Sequence, residues 1–137
     1  MYVTFRYLWA KPLKVKTFKT LAEFKRQLAV GDKLSCTFHQ VFAGRDDNGA
    51  PLWKDEFRVA REVAVVQSNA FALRTVNTTT GETNLSWCHF PRARECRVEN
   101  NRLIILHTDT RNFRGAWDSP EFSRLPLIPL LSYEFAE

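Results

Sequence analysis

The chain has 137 residues, 45% of them hydrophobic and 13% aromatic, with a formal net charge of +5. That length and aromatic content suit one folded domain with a buried core and exclude a disordered basic tail. The charge is unevenly placed: residues 1 to 33 hold eight Lys/Arg against Glu23 and Asp32, a balance of +6, so the rest of the chain balances at −1. A positive excess confined to one segment makes a local field that attracts phosphate backbones or acidic protein surfaces.

In chain order, Val3, Phe5, Tyr7 and Trp9 alternate with Thr4, Arg6 and Leu8 as in a half-buried strand, and Ala10-Lys11-Pro12 breaks it. Leu13 and Val15 continue the period of two opposite Lys14 and Lys16, which predicts a basic strand or hairpin over residues 1–19. The first residues lack the pattern of a signal peptide, and no apolar run is long enough to span a membrane, so a cytoplasmic protein is expected.

Thr20-Leu21-Ala22-Glu23 predicts a helix start, with the Thr20 hydroxyl capping the Glu23 amide and Glu23 reaching back to the Thr20 amide. Leu21, Phe24 and Leu28 recur at helical spacing up to a left-handed stop at Gly31, giving a helix over 20–30 whose outward face holds Lys25 and Arg26, with Lys19 in the preceding turn.

From Lys33 to His107 the pattern is a β-meander. Lys33 to Phe42 reads as one strand, Asn48-Gly49 as a turn with two positive φ angles, Val59 to Gln67 as a strand apolar on both faces, and Ala70 to Val76 as its partner. Thr83 to Phe90, Arg94 to Val98 and Arg102 to His107 follow, separated by a polar loop around Gly81, by Pro91 and by Asn100-Asn101. Residues 108–124 form a long loop carrying Arg111, Phe113, Arg114 and Trp117, and residues 125–135 supply a closing strand. The expected fold is mainly β, a small antiparallel, partly closed barrel of SH3-like or OB-like type with one short N-terminal helix and a basic N-terminal hairpin.

Chemistry is sparse. Cys36, His39, Cys88, His89 and Cys96 are zinc-ligand types, but Cys36 and His39, like Cys88 and His89, point to opposite faces of a strand and no CxxC pair exists. Three free thiols at these spacings fit a reducing compartment. His39, His89 and His107 are acid–base candidates for a metal-independent ribonuclease, though no spacing requires that role. Ser86 lacks a nucleophile elbow, no phosphate-binding glycine loop occurs, and Asp46-Asp47-Asn48-Gly49 reads as a hairpin turn rather than a calcium loop.

The expectation is therefore a non-enzymatic, monomeric module without cofactor or metal, binding nucleic acid or an acidic protein surface. Its candidate contacts are Arg6, Lys11, Lys14, Lys16, Lys19, Lys25 and Arg26, with Arg111, Phe113, Arg114 and Trp117 stacking or docking from the long loop. The alternative is a small inhibitor, carried by a mobile element, that docks on a nucleic-acid-handling or defence complex in the manner of an anti-CRISPR protein. A second basic cluster, Arg92, Arg94, Arg97 and Arg102, follows Trp87, His89 and Phe90 and is read as surface charge paired with Glu95 and Glu99.

Overall fold

A computed structural model describes residues 15–39, 41–54, 56–110, 113, 115, 116 and 118–136. The strand and hairpin expected over residues 1–14 lie outside the described residues, and residues 15–18 belong to no strand.

The helix α1 (Leu21–Gln27) is shorter than the sequence predicts. Thr20 caps it by accepting the Glu23 amide at 3.1 Å, but the Glu23 carboxylate accepts the amide of Lys19 at 2.9 Å, one residue before the expected Thr20. Leu28 is already extended, so Gly31 does not stop the helix. With φ +96° it instead shapes the turn into the first strand, where its amide donates to the Val63 carbonyl at 2.9 Å. Seven residues are too few to hold a helix in water alone, so packing must hold this one.

That packing is aromatic. Phe24 is fully buried and meets the rings of Phe18, Phe135, Phe71 and Phe90 at centroid distances of 5.0, 5.5, 6.3 and 6.5 Å. Phe18, just before the cap, acts as a staple that fixes how the chain enters the helix.

Nine strands follow among the described residues: β1 (Lys33–Phe38), β2 (Val41–Arg45), β3 (Pro51–Lys54), β4 (Phe57–Val66), β5 (Ala70–Val76), β6 (Thr83–His89), β7 (Cys96–Glu99), β8 (Arg102–Thr108) and β9 (Leu127–Phe135). Short 3-10 turns η1 (Ala93–Glu95) and η2 (Phe122–Arg124) precede β7 and β9. Seven strands form one antiparallel sheet in the order β6-β5-β4-β1-β9-β8-β7, and β2 pairs with β3 as a separate hairpin. The fold is mainly β with one short described helix, and the large sheet does not close: β6 and β7 are its edges.

Several local expectations are corrected. The strand predicted over Lys33 to Phe42 is two, β1 and β2, because the chain leaves the sheet after Phe38 to enter the hairpin. Asn48-Gly49 does not supply two positive φ angles, since only Gly49 has one; the Asp46 carboxylate organises that turn by accepting the amides of Asn48 and Ala50, each at 2.9 Å. The turn with two positive φ angles is Asn100-Asn101, at 50° and 62°, between β7 and β8. Arg94 and Glu95 lie in η1 rather than in a strand. The segment expected to close a barrel, β9, sits inside the sheet between β1 and β8.

The apolar run in β4 has a specific cause. A register shift between Val63 and Val65 lets Val63, opposite Leu73, and Val66, opposite Phe71, share the core face although three positions separate them. The core on that face joins Phe18, Phe24, Leu28, Leu34, Cys36, Val63, Phe71, Leu73, Leu103, Tyr133 and Phe135. No helix among the described residues is long and apolar enough to cross a membrane.

Candidate nucleic-acid interface

The proposed cations separate into two groups. Lys16 is committed to the fold: its ammonium donates to the Asp32 carboxylate at 2.8 Å and the Gln27 carbonyl at 2.7 Å, and it lies 5.6 Å from the Phe135 ring centroid. Its charge closes the C-terminal end of α1. Lys19, Lys25 and Arg26 are exposed on or beside the helix and form no ion pair among the described residues.

Sequence reasoning missed what these three face. The chain from Phe90 to Arg97 runs beside α1, with the Lys25 ammonium 5.1 Å above the Phe90 ring. Next to it, Lys19, Thr20 and Leu21 share a groove of about 220 Å³ with Ala93, Cys96, Arg97 and Val98. The Glu95 carboxylate accepts the backbone amide of Arg92 at 2.9 Å, which fixes η1 without engaging a guanidinium. Arg92 and Arg94 are thereby exposed and form no ion pair among the described residues, contrary to the expected pairing with Glu95 and Glu99. Arg97 does pair with Glu99, at 3.0 Å, and Arg102 with Glu134, at 3.6 Å. Lys19 and Lys25 thus face the Phe90–Arg97 segment, distant in sequence, while Arg94 lines a separate cavity of about 430 Å³ with Glu95, Leu106, His107, Thr108 and Leu127. The signal available in the sequence was Pro91, which breaks the strand and removes the alternation of faces assumed for the arginines.

The thiol in the groove is disfavoured as a thiolate. Cys96 lies within 3.5 Å of the Arg92 carbonyl, and burial, with Glu95 adding to it, pushes its pKa up.

The long segment after β8 contributes differently. Arg6, Lys11, Lys14, Arg111, Arg114 and Trp117 lie outside the described residues. Phe113 packs edge-on against Phe122 at 5.6 Å, and a Cβ on Gly115 would come within 3.0 Å of its ring. The cavity of about 630 Å³ beside Phe113 is lined by Asp109 and Glu121 with Ala116, Ser119, Leu125 and Pro126. Phe113 also lines a second cavity of about 330 Å³ with Arg45, Asn48 and Thr110.

His39 is the centre of a three-residue polar chain. Its Nδ1 is 2.9 Å from the Glu56 carboxylate and its Nε2 is 3.0 Å from the Ser132 hydroxyl. Hydroxyl, imidazole and carboxylate stand in the order of an acyl-transfer triad. Ser132, however, is 2% exposed and sits mid-strand between Thr37 of β1 and Ile104 of β8, so ladder pairing surrounds its backbone on both sides and no amide there is free to form an oxyanion hole.

Cys36 and Cys88 face the core while His39 reaches the opposite face through Ser132, so thiols and imidazole do not converge. No group of three or more metal-ligand side chains occurs among the described residues. Burial pushes the Cys36 thiol up to about 11 and raises Cys88 as well. Comparison with protein families, curated proteins and solved structures finds no match to this chain.

Proposed function

We propose that the protein is a non-enzymatic nucleic-acid-binding module whose contact surface is built from α1 and the Phe90–Arg97 segment. The observation that carries this reading is that Lys19, Lys25 and Arg26 are exposed on or beside α1 without an ion pair among the described residues, with Lys19 in a groove shared with Arg97 and Lys25 over the Phe90 ring. Unpaired cations keep their charge available for phosphates, whereas Lys16 does not. An open, curled antiparallel sheet is also a frame on which SH3-like and OB-like modules carry ligands, and we read this chain as one of that architectural type.

Fluorescence anisotropy with labelled oligonucleotides tests the reading. With about four phosphates neutralised on a single strand, the log–log salt slope is near −3, and affinity falls about sixtyfold between about 50 and 200 mM salt. Replacing Lys25 and Arg26 together by Gln makes that slope shallower by about 1.4. Absence of binding to every single- and double-stranded DNA or RNA at low salt overturns the proposal. A partner captured equally well after nuclease digestion instead favours docking on an acidic protein surface.

A further inference from the structure

The two edges of the large sheet are built differently. β7 is four residues long and carries the Arg97–Glu99 ion pair, and a short, charged edge discourages pairing with another chain. β6 is seven residues long and contains no Lys, Arg, Asp, Glu or Pro. All seven residues are exposed or half-exposed, and no strand among the described residues pairs with the outer side of β6. Cys88 packs toward the core, so Leu85 and Trp87 project on the other face, where they are 44% and 50% exposed beside the 61% exposed Val76 of β5. A long, uncharged edge bordered by apolar side chains is the kind of surface to which a further strand adds.

The ladder to β5 decides which backbone groups that edge offers. The Asn77 amide donates to the Glu82 carbonyl at 2.8 Å and the Phe90 amide to the Asn69 carbonyl at 3.0 Å, one bond at each end of the β5–β6 pair. Hydrogen-bonded pairs recur at every second residue of an antiparallel ladder, so Asn84, Ser86 and Cys88 direct their amides and carbonyls to β5. Thr83, Leu85, Trp87 and His89 direct theirs to the open side.

We propose that β6 is the interface of a homodimer, pairing antiparallel with β6 of a second copy across a two-fold axis at Ser86, rather than the monomer expected from the sequence. In that register Thr83 stands opposite His89 of the second copy, and Leu85 opposite its Trp87. The outward backbone groups of all four positions then meet outward groups. A shift by one residue sets them against groups already bonded to β5, and a shift by two leaves part of the strand unpaired. Leu85 and Trp87 of each copy lie against those of the other and cover apolar surface that a single copy exposes. Charge also matches: Glu82 before the strand and Arg92 after it are exposed without an ion pair among the described residues, and the axis carries the acidic end of each β6 to the basic end of the other. The pairing is isologous and uses the β6 edge of both copies, so assembly stops at two.

Sedimentation equilibrium of the full chain without nucleic acid, from micromolar to near-millimolar concentration, tests this interface. Wild type rises with concentration from 16.0 kDa toward twice that mass. Trp87→Lys sets like charges together across the axis, and Leu85→Pro removes an outward amide but none that bonds β5; both stay at 16.0 kDa throughout. Protection of the buried Cys36 thiol from alkylation reports that each variant is folded, and Trp87→Lys, at an exposed position, decides the matter where the proline disturbs β6. Ser86→Cys cross-links into a covalent dimer under mild oxidation, because a pair on the axis has Cα atoms about 4.5 Å apart, within disulfide reach, whereas Thr83→Cys does not. Wild type that remains at 16.0 kDa overturns the dimer. A dimer that survives Trp87→Lys places the interface elsewhere and overturns it too, and a mass that climbs past two copies overturns the closed two-fold. Dimeric Ser86→Cys that resists cross-linking overturns the register.

Discussion

The Tyr133 hydroxyl donates to the Cys88 sulfur at 3.4 Å, although their strands, β9 and β6, stand four places apart in the sheet. In a flat sheet four steps would separate them by about 19 Å, beyond the reach of the two side chains. The sheet must therefore curl until its β6 end faces its centre, and the enclosed space is filled by the rings around Phe24. Tyr133 also meets Phe71 edge-on at 5.5 Å, so hydroxyl and ring both bridge the interior.

Tyr133→Phe separates the two contributions. The ring remains buried, and the loss of one hydrogen bond costs about 1 kcal/mol in chemical denaturation. Phe24→Ala, which removes a ring touching four others, costs about 3–5 kcal/mol. Burial raises the Cys88 pKa and the Tyr133 hydrogen bond opposes that rise, so alkylation of Cys88 is slower in Tyr133→Phe under conditions where both proteins stay folded. Faster alkylation would mean that the bond is not present in solution.

Cys36 gives the fold an alkaline limit. Its thiol titrates near about 11 when folded, against 9.0 for the free group, because burial disfavours the thiolate. A raised folded pKa means that stability is fully present below the unfolded value and declines as pH rises through the folded one. Denaturation midpoints should fall between about pH 9 and 11, with a contribution from this group on the order of 2 kcal/mol. Cys36→Ala should flatten that segment of the profile relative to wild type, and an unchanged slope would remove Cys36 as its cause.

Local chemistry was legible where a single residue decides it. Thr20 caps α1 because its hydroxyl reaches a helix amide, and β5 runs over Ala70–Val76 because polar turns bound an apolar run on both sides. Sheet order was not legible, since nothing within β9 records that β1 and β8 will flank it. The basic surface was half legible. Lys19, Lys25 and Arg26 follow from helical spacing, but Arg92 and Arg94 were assigned to a strand and so to opposing carboxylates. The 3-10 turn after Pro91 instead has the Glu95 carboxylate accepting the Arg92 amide.

The Glu56–His39–Ser132 chain is expected to be structural. His39 ties the end of β1 to β9 through Ser132, and its amide also donates to the Leu130 carbonyl at 3.0 Å. His39→Ala should cost about 1–2 kcal/mol, whereas Glu56→Gln, whose side chain is 62% exposed and still accepts a hydrogen bond, should stay within about 0.5 kcal/mol. A fluorophosphonate probe should leave Ser132 unmodified, because the hydroxyl is enclosed and lacks an oxyanion hole. Stoichiometric labelling that disappears in Ser132→Ala would restore an acyl-transfer role.

The last prediction separates cations that hold the fold from cations that bind. Asp32 accepts both the Lys16 ammonium at 2.8 Å and the Ala29 amide at 2.9 Å, so it satisfies the chain leaving α1 while neutralising the nearest lysine. Asp32→Ala removes both bonds and should cost about 1–2 kcal/mol, comparable to losing a helix cap. Lys16→Gln should cost less, about 1 kcal/mol or below, because the pair is partly solvent-screened and Gln can still donate to the Gln27 carbonyl. Lys16→Gln should not alter the salt slope of oligonucleotide binding, since the Lys16 charge is already compensated by Asp32. Lys25→Gln with Arg26→Gln should do the reverse, leaving the denaturation midpoint within about 0.5 kcal/mol while making the salt slope shallower. A Lys16→Gln protein that keeps its stability but loses salt dependence would place Lys16 on the binding surface and break the division between the two groups.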